Sequence, residues 1–96
     1  MDSIEYDKMP KKAKNRESEI VSILNTANDL NYTLDKVDYN TGMVRMKNDF
    51  CHANLYTTTL TLTLEFKVDG MKIQRNVKCM SVRECQELLT KPRKGY

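Results

Sequence analysis

Apolar and polar positions alternate most regularly between residues 55 and 68. Tyr56, Thr58, Leu60, Leu62, Leu64, Phe66 and Val68 interleave with Thr57, Thr59, Thr61, Thr63, Glu65 and Lys67. Strict period two in a run rich in β-branched and aromatic residues predicts one long strand with an apolar and a polar face. Asp69-Gly70 follows, the preferred pair for a two-residue type I′ hairpin. Pairing Val68 with Met71 then sets Phe66 opposite Ile73, Leu62 opposite Val77 and Leu60 opposite Cys79, so turn chemistry and binary pattern agree. On the other face Lys67 meets Lys72, Glu65 meets Gln74 and Thr63 meets Asn76. Arg75, opposite Leu64, breaks the pattern. It is expected to pair with a helix acid such as Glu84 or Glu87, or to snorkel out at the end of the sheet.

A period near 3.6 governs both flanks. Pro10 suits the first turn of a helix, and Ile20, Ile23, Leu24, Ala27 and Leu30 then recur at spacings of three and four, with Val21 widening the stripe. The spacing predicts a helix over 10–30, with Asn31 as its stop. Ser81-Val82-Arg83-Glu84 has the form of a capping box. It opens a second helix with Val82, Cys85, Leu88 and Leu89 on its apolar stripe and Pro92 beyond its end. Between the first helix and the long strand, residues 33–39 and 43–47 flank Asn40-Thr41-Gly42 and read as a hairpin. The register that faces Tyr39 to Val44 and Val37 to Met46 keeps apolar side chains together.

These elements predict an α+β two-layer sandwich in the order α-β-β-β-β-α. It has a four-stranded, mainly antiparallel sheet of two hairpins and both helices on one face. Residues 1–9 read as a flexible leader, 10–91 as a single domain and 92–96 as a basic tail. Tyr56 is expected to point inward, and Tyr39 with it, leaving a threonine row on the uncovered face.

Charge changes this picture only at the ends. Lys8, Lys11, Lys12, Lys14 and Arg16 form a run without an acid, and Lys91, Arg93 and Lys94 form another. Residues 17–90 hold eight cations against ten acids, so the expected body is slightly acidic and its ends basic. No apolar run approaches the ~20 residues of a membrane span. Three cysteines without paired spacing favour the reducing cytoplasm over secretion.

Candidate chemistry is sparse. Cys51 and His52 are adjacent in sequence, a placement that rarely brings a nucleophile and its base together. Cys51, His52, Cys79 and Cys85 lack the short paired spacing of zinc knuckles. Cys79 and Cys85 already fit inward faces as small hydrophobes. The three glycines are isolated and cradle no phosphate. Neither catalysis nor a metal or cofactor is therefore expected.

Binding remains, in two forms. A protein partner is favoured, docking on the sheet face of Thr57, Thr59, Thr61 and Thr63 edged by Lys67, Lys72 and Lys78 or adding a strand at an open edge. A lone, lysine-rich domain of this size without a catalytic motif matches the profile of phage or mobile-element accessory proteins, including inhibitors of host defence nucleases. Such an inhibitor would mimic phosphates with Glu17, Glu19, Asp35 and Asp38, or reach a bound strand with its basic ends. The alternative is direct nucleic-acid binding through Lys8, Lys11, Lys12, Lys14, Arg16, Lys91, Arg93 and Lys94. In element order, residues 60–89 resemble the final hairpin and helix of a double-stranded-RNA-binding domain. That family has three strands where four are expected here, and a lysine-rich start to its last helix where Ser81-Val82-Arg83-Glu84-Cys85 has one cation.

Overall fold

The structure, a computed structural model, describes residues 4–94. The first three residues of the expected leader, and Gly95 and Tyr96 of the expected tail, lie outside the described residues. A 3-10 turn at Tyr6–Lys8 leads into a short helix α1 (Lys11–Lys14) and a long one, α2 (Glu17–Asp29). Strands β1 (Thr33–Asp38), β2 (Met43–Lys47), β3 (His52–Tyr56), β4 (Thr61–Val68) and β5 (Met71–Lys78) follow, then α3 (Val82–Thr90). The fold is α+β, and its sheet is a five-stranded antiparallel meander in the order β1-β2-β3-β4-β5.

Five strands replace the expected four because the long alternating run folds back on itself. Thr57 donates both its backbone N–H (3.1 Å) and its hydroxyl (2.6 Å) to the Gly42 carbonyl, and Leu60 takes a left-handed φ of 55°. This long-range anchor to the β1–β2 turn fixes where β3 ends and the chain turns back. Folding back pairs Leu55 with Leu62 and Ala53 with Leu64, so all four side chains are buried. The inward set thereby switches from odd-numbered residues in β3 to even-numbered ones in β4. Tyr56, expected inward, lies in the outward row beside Met43 and Thr61.

The β4–β5 hairpin has the expected register throughout: Val68 faces Met71, Phe66 faces Ile73, Leu64 faces Arg75 and Leu62 faces Val77. Asp69 and Gly70 both have positive φ, as a type I′ turn requires. The register of the first hairpin differs from expectation by two residues, with Val37 opposite Val44 instead of Met46, and Leu34 opposite Met46. Two local features cause the shift. The Asp38 carboxylate accepts from the N–H groups of Asn40 (2.9 Å) and Thr41 (3.4 Å), closing the turn early, and a bulge at Asp35 restores the pattern beyond it.

The expected helix over 10–30 is two pieces, broken at Asn15 and Arg16. Ile20, Ile23, Leu24 and Ala27 are buried, whereas Val21 is 39% exposed and does not join the stripe. Ile4, Met9 and Ala13 enter the core instead, so residues 4–9 pack against the domain. Ser81 caps α3 by accepting from the Glu84 N–H at 3.2 Å, and Cys85, Leu88 and Leu89 face the core. Tyr32 donates to the Leu89 carbonyl (3.0 Å) and Gln86 to the Thr26 hydroxyl (3.0 Å). Helices α2 and α3 therefore run parallel and end at the same end of the sheet. No helix among the described residues is long and apolar enough to cross a membrane.

Arg75 satisfies neither expected acid. Its Nη1 donates to the carbonyls of Pro92 (3.0 Å) and Lys94 (2.6 Å), which fastens the segment after α3 to edge strand β5. Arg75→Met keeps the apolar stem but removes both bonds. It is expected to cost about 1 kcal/mol in urea unfolding, the usual net contribution of partly exposed hydrogen bonds. An unchanged midpoint would show these contacts to be inert.

Candidate binding face

Period two in each strand separates the sheet into a covered and an open face. Val44, Met46, Ala53, Leu55, Leu62, Leu64 and Phe66 are buried with the residues of α2 and α3 in one cluster. The opposite face has no covering layer among the described residues. Three rows cross it, read directly from strand pairing. They are Asp38–Met43–Tyr56–Thr61–Lys78, Lys36–Arg45–Asn54–Thr63–Asn76 and Thr33–Lys47–His52–Glu65–Gln74, with Lys67–Lys72 beyond them.

Charge is sorted between the two layers. Of the eight cations in residues 17–90, six stand on the open face: Lys36, Arg45, Lys47, Lys67, Lys72 and Lys78. All six are exposed. The helices hold the acids Glu17, Glu19, Asp29, Glu84 and Glu87. A body that is slightly acidic in total therefore has one basic side, a property that summed charge conceals. Asp38 at the end of one row partly offsets it, as do two acids paired with its lysines. Asp35 lies 3.8 Å from Lys47 and Glu65 lies 2.7 Å from Lys72. The hydrogen bond from Lys72 holds the Glu65 carboxyl below its usual range.

Two cross-strand pairs are unfavourable for the fold alone. Lys36 stands directly opposite Arg45, and Lys67 directly opposite Lys72. Like charges in opposed positions destabilise a sheet. Between these cations runs a strip of His52, Asn54, Tyr56, Thr61 and Thr63 along β3 and β4. Within it the Asn54 carbonyl accepts from Arg45 Nε (3.1 Å), and Thr63 is bonded to Asn76 (2.7 Å).

The expected threonine row is only partly assembled. Thr61, Thr63, Lys67, Lys72 and Lys78 share the open face. Thr57 is fully buried, and Thr59 sits in the β3–β4 turn with its hydroxyl 2.8 Å from that of Thr61.

The two basic ends do not come together. The N-terminal segment docks at the end with the β1–β2 and β3–β4 turns, where Glu5 N–H donates to the Tyr39 hydroxyl and Pro10 lies near Gly42. There Lys8 pairs with Glu5 at 2.9 Å, Lys11, Lys12 and Lys14 are exposed on α1, and Arg16 stands at the start of α2. The other cluster occupies the far end. Arg93 donates to the Lys67 carbonyl (2.7 Å), Lys94 pairs with Glu87 (2.6 Å), and Lys91 is exposed. The length of β4, about 25 Å at 3.4 Å per residue, separates them. The open face lies between.

The phosphate-mimic acids are also dispersed. Glu17 and Glu19 are on α2, Asp35 faces Lys47, and Asp38 is occupied with the turn amides.

Cys51, Cys79 and Cys85 are all buried free thiols. Burial pushes the Cys51 thiol up, and a hydrogen bond to Cys79 together with burial pushes Cys85 up. Raised thiols are poor nucleophiles at neutral pH. His52 is exposed on the open face, whereas the neighbouring Cys51 is buried. No group of three or more metal-ligating side chains exists among the described residues.

Sequence reasoning missed Lys36, Arg45, Lys47, His52 and Tyr56 as members of one face. The signal available was the Thr57-Thr58-Thr59 run, three hydroxyl residues that interrupt the strand. Comparison with known proteins finds no matching family model, no matching curated protein and no matching solved structure.

Proposed function

We propose that this chain is a non-catalytic binding module that holds a single nucleic-acid strand against the open face of its sheet. The observation that carries this reading is the placement of Lys36 opposite Arg45 and Lys67 opposite Lys72 on a face that none of the described residues covers. Folding gains nothing from such pairs, whereas a polyanion relieves both. The flanking cations match a phosphate backbone, and Tyr56 and His52 in the strip between them provide faces for bases. A single strand fits better than a duplex. Stacking on a flat sheet needs bases already unstacked, and the face presents no helix or ribbon to enter a major groove.

The test is fluorescence anisotropy with labelled 12-nucleotide single strands and matching duplexes across a salt series. The expected result is micromolar or tighter binding of the single strand at low salt. If all six cations engage phosphates, log K should fall against log salt with a slope of about −4. Absence of binding at low salt would reject the reading.

A protein-interaction or inhibitor module, of the phage or mobile-element accessory type, is the second reading. It is favoured by edge strand β5, whose eight residues have one side without a strand partner among the described residues and so offer a template for strand addition. Both readings place the protein in a reducing compartment such as the cytoplasm, where its three free cysteines would persist.

A further inference from the structure

The loop between β2 and β3 carries an aromatic ring on a tied backbone, where the core makes no use of it. Phe50 is 82% exposed, although burying such a ring would be favourable. The loop around it is well tied. The Asn48 side-chain carbonyl accepts from the N–H groups of Phe50 (2.9 Å) and Cys51 (2.8 Å), and Asn48 Nδ2 donates to the Leu30 carbonyl (3.2 Å). An Asx turn anchored to the end of α2 thus presents the ring to solvent.

Phe50 lines a cleft of about 1200 Å³ between the ends of α2 and α3 and the β4–β5 hairpin. His52, Glu65, Lys67 and Lys72 line the same cleft and also belong to the open sheet face. Cleft and face are therefore one continuous surface. Glu65 is already paired with Lys72 at 2.7 Å, while Lys67 has a cation directly across from it. Asp29 and Asp49 also line the cleft, so an anion would settle on the hairpin side, away from them.

We propose that the cleft is a nucleobase subsite at the end of the open-face track, in which an unpaired base stacks on Phe50 while Lys67 and Lys72 meet its flanking phosphates. The subsite rests on the nucleic-acid reading of the face. Every base has a π-face, so the subsite is tolerant of sequence. It accepts only a base free of its pairing partner.

The chain contains no tryptophan, so Phe50→Trp introduces a single reporter into the cleft. The full chain carrying it is titrated with a 12-nucleotide oligothymidylate and with an abasic phosphodiester of equal length. Anisotropy of a label on each strand is followed in parallel. The subsite requires quenching of tryptophan emission by the oligothymidylate and none by the abasic strand. In addition, Phe50→Ala should bind oligothymidylate about tenfold more weakly, the factor expected for loss of one base stack, and the abasic strand as tightly as the parent. At 82% exposure neither change should disturb the fold, which circular dichroism checks. Binding by anisotropy with unchanged emission would overturn the subsite and leave the face reading standing. Binding of neither strand would overturn both.

Discussion

Replacing Gly42 by alanine is expected to destabilise the protein by about 2–5 kcal/mol, the sum of a backbone cost and a lost buried hydrogen bond. Gly42 has a φ of 77°, a left-handed conformation that costs an L-residue roughly 1–2 kcal/mol. A Cβ there would also lie 2.7 Å from Thr57 Oγ1 and 3.3 Å from Thr58 Cγ2. Relief requires moving the Thr57 hydroxyl, which is fully buried and bonded to the Gly42 carbonyl at 2.6 Å. Leaving that group unsatisfied costs about 1–3 kcal/mol more. Gly70→Ala is the internal control. Its φ of 80° is as unfavourable to an L-residue, but no atom lies within 4 Å of the added Cβ, so only the backbone cost of roughly 1–2 kcal/mol is expected. Urea unfolding of both variants measures the difference. Equal losses would mean that the approach of Thr57 to Gly42 is not a tight constraint.

The same contact explains what sequence pattern could and could not show. Where the period and the turn chemistry are both local, as in the β4–β5 hairpin, every pair from Val68–Met71 to Leu62–Val77 was legible, because Asp69-Gly70 admits one register. The stripe of α3 and its Ser81 cap were legible for the same reason. The break at residues 57–60 was not, because Thr57, Thr58 and Thr59 suit a strand by propensity. What overrides propensity is a carbonyl 15 residues earlier in the chain, a partner that no window of sequence contains. One misplaced turn then had large consequences. It merged two strands into one, turned Tyr56 inward, and hid the fact that β2, β3 and β4 lie side by side. The candidate site suffered most, since a face assembled from five strands is visible only once their order is known. Cations scattered through residues 36–78 read as background beside the compact runs at the two ends.

Those compact runs and the scattered cations make opposing claims, and charge reversal separates them. Reversing Lys36, Arg45 and Lys47 together to glutamate should weaken single-strand binding on the order of a hundredfold near 0.1 M salt. It should also reduce the log–log salt slope by about 2, as three lost phosphate contacts imply for a single strand. The fold should survive, because all three side chains are exposed. The main local cost is the 3.8 Å pairing of Lys47 with Asp35, and an exposed pair of this kind contributes little. Removing the opposition of Lys36 to Arg45 while placing two acids there exchanges one like-charge pair for another, so melting temperature should change little. The matched variant reverses Lys11, Lys12 and Lys14 on α1, an equal change in net charge at the end of the domain beyond the β3–β4 turn. If the open face is the site, this second variant loses only the few-fold that general attraction supplies, and its salt slope stays close to that of the parent. If instead α1 reversal abolishes binding and the face variant binds normally, the terminal run is the site and the sheet face is solvent. Net charge is identical in the two variants, so no difference between them can be ascribed to it. Where the charge stands decides the outcome.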